Sequence, residues 1–154
     1  MKVTCYPSVL AAMILTAAAS EPDDVASAAQ QYYPETVWQP GSVLTGDFSC
    51  HGNEDVAILG ASATSIFVAV FLGGLEQAPQ VLEYSASVRN AQFAMLAIEP
   101  IGASVEEIEA DIGYVPEGMR PSTSCVGLNM GDGEVDSAHI YWDHDAQRFK
   151  DWVR

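Results

Sequence analysis

Ile66-Phe67-Val68-Ala69-Val70-Phe71-Leu72 is a run of seven apolar residues, entered after Gly60-Ala61-Ser62 and ended by Gly73-Gly74. It is rich in β-branched and aromatic residues and too short for a buried helix, so it reads as a strand. A strand with one wet face would alternate polar and apolar. This one does not, so both of its faces must be covered and it belongs at the centre of a sheet. Working outward, Asp55 to Leu59 and Ser42 to Phe48 precede it as strands, and Gln80 to Ser85 and Phe93 to Glu99 follow. In the C-terminal third, Cys125 to Asn129 and Glu134 to Trp142 flank Met130-Gly131-Asp132-Gly133, a hairpin signal. Period-two alternation puts Ala138, Ile140 and Trp142 on one face and Ser137, His139 and Tyr141 on the other. Arg148 to Val153 returns as the last strand after the turn Asp143-His144-Asp145-Ala146. Helix signals are few. Asp23 to Tyr33 carries acids at its start and is stopped by Pro34, and Ser104-x-x-Glu107 opens a helical turn with a capping box. The pattern is mostly β with a minor α part: about seven or eight strands in an antiparallel sandwich or strongly curved sheet, with a short N-terminal helix.

The chain has 154 residues, enough for one domain with a real core. Hydrophobic residues make up 49% and charged residues 18%, which excludes wholesale disorder. Six basic and 21 acidic residues leave a formal net charge of −15. Such a chain is repelled by nucleic-acid phosphates and by anionic membrane surfaces, and its expected partner is a basic protein or a cation. Met1-Lys2, the apolar run Val9 to Ala19 and the small residues Ala18-Ala19-Ser20 have the layout of a secretory signal peptide. The expected organisation is a cleaved leader over residues 1–20 and a single β-rich domain over 21–154, in the bacterial periplasm or outside the cell. Cys5 falls in the leader. Cys50 and Cys125 then remain, and in an exported chain they most simply pair as one disulfide, two free buried thiols being the alternative.

Gly46-Asp47-Phe48-Ser49-Cys50-His51-Gly52-Asn53-Glu54-Asp55 resembles the calcium-binding loop of FG-GAP repeats, the blade units of integrin-like propellers. The resemblance implies a ligand set of Asp47, Ser49, His51 and Asp55, with Gly52 at the bend. Calcium wants converging oxygens. Ser49 and His51 stand at the two middle acidic or amide positions, and imidazole is a poor calcium ligand. A metal-free loop pinned by Cys50 is therefore favoured over a calcium site. Asp136, His139, Asp143 and His144 form a second group of ligand types, but their spacing fits a polar strand face and a hairpin tip better than a zinc site. There is no Gly-x-Ser-x-Gly elbow and no phosphate-cradling glycine loop. The expectation is a non-enzyme without a cofactor.

The tail, from Ser124-Cys125-Val126-Gly127-Leu128-Asn129 through His139-Ile140-Tyr141-Trp142-Asp143-His144 to Trp152-Val153-Arg154, resembles the ending of a group of small exported bacterial proteins. With Cys50 and the degenerate loop, the likeness extends over residues 46–154. Related FG-GAP-derived exported domains include periplasmic lysozyme inhibitors and immunity proteins against cell-wall hydrolases. The resemblance implies the same function: inhibition of, or immunity to, such a hydrolase by protein contact. The alternative is a small exported ion-binding module with a calcium loop and no enzyme target. The acidic segments suited to a basic target are Glu106, Glu107, Glu109 and Asp111, and Asp132, Glu134 and Asp136. Tyr141 or Trp142 is expected as an exposed aromatic anchor, with core packing the plainer role for Trp142.

Overall fold

The computed structural model describes residues 20–85, 93–102, 104–131 and 137–153. The expected leader, except Ser20, therefore lies outside the described residues. The central run forms β4 (Ser65–Phe71), and all seven of its residues are buried. It pairs antiparallel with β3 (Asp55–Ala61) on one edge and β5 (Gln80–Ser85) on the other. Two short strands, β1 (Val37–Trp38) and β2 (Leu44–Gly46), share the far edge of β3. The second sheet is a meander of β6 (Met95–Pro100), β7 (Val126–Gly131), β8 (Ser137–Asp143) and β9 (Arg148–Val153). The molecule is thus an antiparallel sandwich of two open sheets, as the spacing of turn signals implied.

Alternation along β4 divides the core. Ile66, Val68 and Val70 face the second sheet and pack in one cluster with Phe48, Leu128, Ile140, Trp142 and Phe149. Phe67, Ala69 and Phe71 face the other way, into a cluster closed by Trp38 and by Val25 and Ala29 of α1 (Pro22–Tyr32). The helix covers the outer face of the first sheet, which explains why β4 carries no polar side. Gly60 lets Trp38 lie flat on this face, since a Cβ there would stand 2.6 Å from both Thr36 and the indole.

β5 coincides with its expected bounds, and several others shift. β7 runs on to Gly131, and the described part of β8 begins at Ser137. The intervening residues 132–136 lie outside the described residues, and with them Asp132, Glu134 and Asp136. The capping-box turn is a full helix, α2 (Val105–Ile112), with Ser104 Oγ accepting from Glu107 N–H and Glu107 Oε2 accepting from Ser104 N–H. Among the described residues, no helix is long and apolar enough to cross a membrane.

Cys50 and Cys125 form a disulfide with Cα atoms 5.0 Å apart. It joins the loop after β2 to the start of β7, and so ties one sheet to the other. Val126 N–H donates to Asp47 C=O beside it, at 3.1 Å. At the opposite edge, Phe149 N–H of β9 donates to Gln80 Oε1 of β5 at 3.0 Å. The cross-link spans 75 residues, so loop-closure entropy alone makes it worth about 4 kcal/mol. Replacing both cysteines by serine should lower the denaturant midpoint accordingly with the fold intact by circular dichroism. An unchanged midpoint would show that the inter-sheet tie carries no stability.

Candidate functional site

The outer face of the second sheet is polar where its inner face is apolar, and strand register sets out its side chains in rows. Ala97, Asn129, His139 and Trp152 lie opposite one another across the four strands. Glu99 is opposite Gly127 in the next row, and Tyr141 is opposite Lys150. Helix α2 borders this face across a cleft. Its Ile108 packs back on the link from β6, where a Cβ on Gly102 would be 2.7 Å from it. Gly113, in the left-handed conformation at φ 80°, ends the helix. The chain then returns past Met119. Helix, returning segment and sheet enclose a cleft of about 440 Å³, a volume typical of small-ligand sites.

Ile101, Ile108, Ile112 and Met119 form the cleft's apolar walls, and Tyr141 and Trp152 its aromatic ones. Its acids are Glu99 from β6 and Glu107 and Asp111 from α2. Gly127 lies at the floor, where a Cβ would stand 2.7 Å from the Ile140 carbonyl oxygen. Glu99 is oriented by neighbours: His139 Nδ1 lies 2.9 Å and Asn129 Nδ2 3.2 Å from its Oε2. The indole of Trp152 stacks on the His139 imidazole, with centroids 3.9 Å apart and planes 7° from parallel.

The returning segment is held by a buried aspartate. Asp143 is 1% exposed. Its Oδ1 accepts N–H bonds from Asp145 and Ala146, both at 2.8 Å, and its Oδ2 pairs with Lys150 Nζ at 2.5 Å. The Lys150 hydrogen bond, followed by those backbone donors, holds the Asp143 carboxyl down at about 2, and Asp143 in turn raises Lys150. Gly118, at φ 71°, presses on this carboxylate, which would overlap any Cβ there. Tyr141 Oη donates to Glu117 C=O at 3.0 Å, and His144 N–H to Gly118 C=O at 2.9 Å. Burial raises the Tyr141 hydroxyl, so it stays a donor.

The expected site residues are dispersed. Glu107 and Asp111 face the cleft, while Glu106 and Glu109 stand exposed on the same helix. Tyr141 and Trp142 are 4% and 3% exposed. Neither is an exposed anchor: Tyr141 lines the cleft with its hydroxyl used internally, and Trp142 packs in the core. In the loop with the calcium-like spacing, the carboxylates turn inward. Asp47 Oδ1 and Oδ2 accept from His51 and Gly52 N–H at 3.0 and 2.9 Å. Asp55, 1% exposed, accepts from Ser49 and Gly73 N–H at 2.8 and 3.0 Å. Ser49 is buried, and the His51 ring lies edge-on to Trp142 with centroids 5.2 Å apart. The second group of ligand types does not converge either: His139 pairs with Glu99, Asp143 with Lys150, and Asp136 lies outside the described residues. No set of three metal-ligating side chains occurs among the described residues. Comparison of the chain with known protein families, curated proteins and solved structures gives no match.

Because folding depresses the Asp143 carboxyl from 3.8 to about 2, its contribution to stability is complete above pH 4 and is lost as the pH falls toward 2. Thermal unfolding between pH 2 and 5 should show this loss, and Asp143→Asn should flatten that part of the profile while lowering stability at pH 7. A profile identical in the two proteins would refute the role assigned to Asp143.

Proposed function

We propose that this is an exported binding module of the bacterial periplasm or exterior that holds a basic protein, a cell-wall hydrolase or secreted toxin, and blocks its activity. One observation carries the reading: Glu99, Glu107 and Asp111, from two different elements, border a cleft whose remaining walls are apolar and aromatic. That combination suits a lysine or arginine side chain. Its methylenes would lie along Ile101, Ile108 and Ile112, and its charged head would reach the carboxylates and the aromatic rings. Glu99 is already held by His139 and Asn129, which lowers the entropy lost on binding. The net charge of −15 adds long-range attraction to any basic target. Hydrolases of an anionic cell wall are such targets. The disulfide fits an oxidising compartment. The likeness of the tail and the loop to FG-GAP-derived exported inhibitors points the same way. The calcium-module alternative has less support, because the four oxygens of Asp47 and Asp55 already accept backbone N–H groups.

Inhibition of a panel of lysozymes and other peptidoglycan hydrolases, read at two salt concentrations, tests the proposal. Exposed charges act mainly on association and are screened by salt. Raised salt should therefore slow association, and so should Glu107→Lys with Asp111→Lys. Glu99→Gln should instead speed dissociation, by roughly tenfold for one lost charged contact. Failure to inhibit any of the panel would refute the hydrolase reading. Inhibition untouched by all three substitutions would move the interface away from the cleft.

A further inference from the structure

At the edge of the cleft, the same sheet face holds an arrangement that takes in two cleft residues, Glu99 and His139, and extends beyond them to Ser137. Ser137 opens β8, and His139 follows two residues later on the same side of the strand. Ser137 Oγ lies 3.2 Å from His139 Nε2. On the other side of the ring, His139 Nδ1 lies 2.9 Å from Glu99 Oε2 and 3.1 Å from Oε1. A carboxylate at Nδ1 holds the proton there and leaves Nε2 as an acceptor facing the hydroxyl. Asn129 Nδ2, 3.2 Å from His139 Nδ1, also lies 3.2 Å from both Glu99 Oε2 and Ser137 Oγ. Its two hydrogens thus serve the two outer members of the chain. Trp152 fixes the plane of the imidazole from one side.

Gly131 is the cross-strand partner of Ser137, and among the described residues nothing stands within 4 Å of where its Cβ would be. Met95, opposite Gly131 on the next strand, is 67% exposed and offers an apolar surface beside that gap. Ser137 itself is half-buried.

We infer that Ser137, His139 and Glu99 form a nucleophile relay that makes Ser137 reactive toward uncharged or cationic esters, a site that shares Glu99 and His139 with the cleft but does not rest on the partner-binding reading. Ser137 Oγ forms the bond to the ester carbonyl carbon as its proton passes to His139 Nε2. Glu99 stabilises the resulting imidazolium through Nδ1–H. The C–O bond to the alcohol breaks as Nε2 returns the proton to the departing oxygen, leaving an acyl group on Ser137. Water then repeats the two transfers, releases the acid and restores the hydroxyl. Glu99, Glu107 and Asp111 disfavour anionic esters at this face.

The probe is a neutral alkyl fluorophosphonate, which loses fluoride when a serine attacks phosphorus. The disulfide-bonded protein should gain one phosphonyl mass, mapped by peptide sequencing to Ser137, and Ser137→Ala should gain none. His139→Gln should slow labelling by about 100-fold, the scale of a lost general base. Glu99→Gln, nearly isosteric and so the safer variant for folding, should slow it by roughly tenfold or more. Thermal unfolding of each variant reports whether the fold is kept. Absence of labelling in the folded wild-type protein overturns the inference. Modification at another residue, or folded variants that label at the wild-type rate, would overturn it equally.

Discussion

Burial of β4 on both faces is the constraint from which the architecture follows. A single sheet could bury only one of those faces. The Ile66, Val68 and Val70 side therefore requires a second sheet, which the β6–β9 meander supplies. The Phe67, Ala69 and Phe71 side requires a third layer, supplied by α1 with Trp38. The short α1 offers a weak apolar stripe and no side-chain cap, so its stability comes from docking rather than from intrinsic propensity.

Two buried aspartates organise the loops that this core leaves over. Asp55 and Asp143 are each 1% exposed, and each accepts two backbone N–H groups. A buried carboxylate without such donors would be costly; with them it becomes a fixed joint between segments. Asp55 joins the Cys50 loop to the turn after β4. Asp143 joins the β8–β9 turn to Lys150 and, through contact with Gly118, to the segment that borders the cleft. The acids that define the loop's calcium-like spacing thus serve as internal staples, alongside the covalent tie of Cys50 to Cys125.

The outer face of the second sheet is free to be polar because the inner face alone fills the core. That freedom places Glu99, Asn129, Ser137 and His139 within hydrogen-bonding reach, with Trp152 stacked on the imidazole. The proposed cation cleft and the proposed nucleophile relay share Glu99 and His139. A guest that draws Glu99 toward itself would weaken the support of the imidazole, so the two activities would compete rather than add.

Sequence by itself determined the layers and most of the strands. The unbroken apolar run, the alternation of Ala138, Ile140 and Trp142 against Ser137, His139 and Tyr141, and the Ser104–Glu107 capping box are local signals, and local steric and hydrophobic preferences produced the expected elements. The cysteine pairing was also legible, because reading residues 1–20 as a leader leaves two cysteines, Cys50 and Cys125. The site was not. Glu99, Asn129, His139 and Trp152 lie on four strands, and their meeting depends on cross-strand register, which a shift of one residue would reverse. The inward turn of Asp47 and Asp55 was hidden too, since ligand spacing does not reveal which backbone donors will claim the oxygens. Nor could composition tell that Tyr141 would be covered, because its burial comes from a loop 24 residues away that accepts its hydroxyl proton. Contacts between distant segments, rather than any local pattern, decided what the polar residues do.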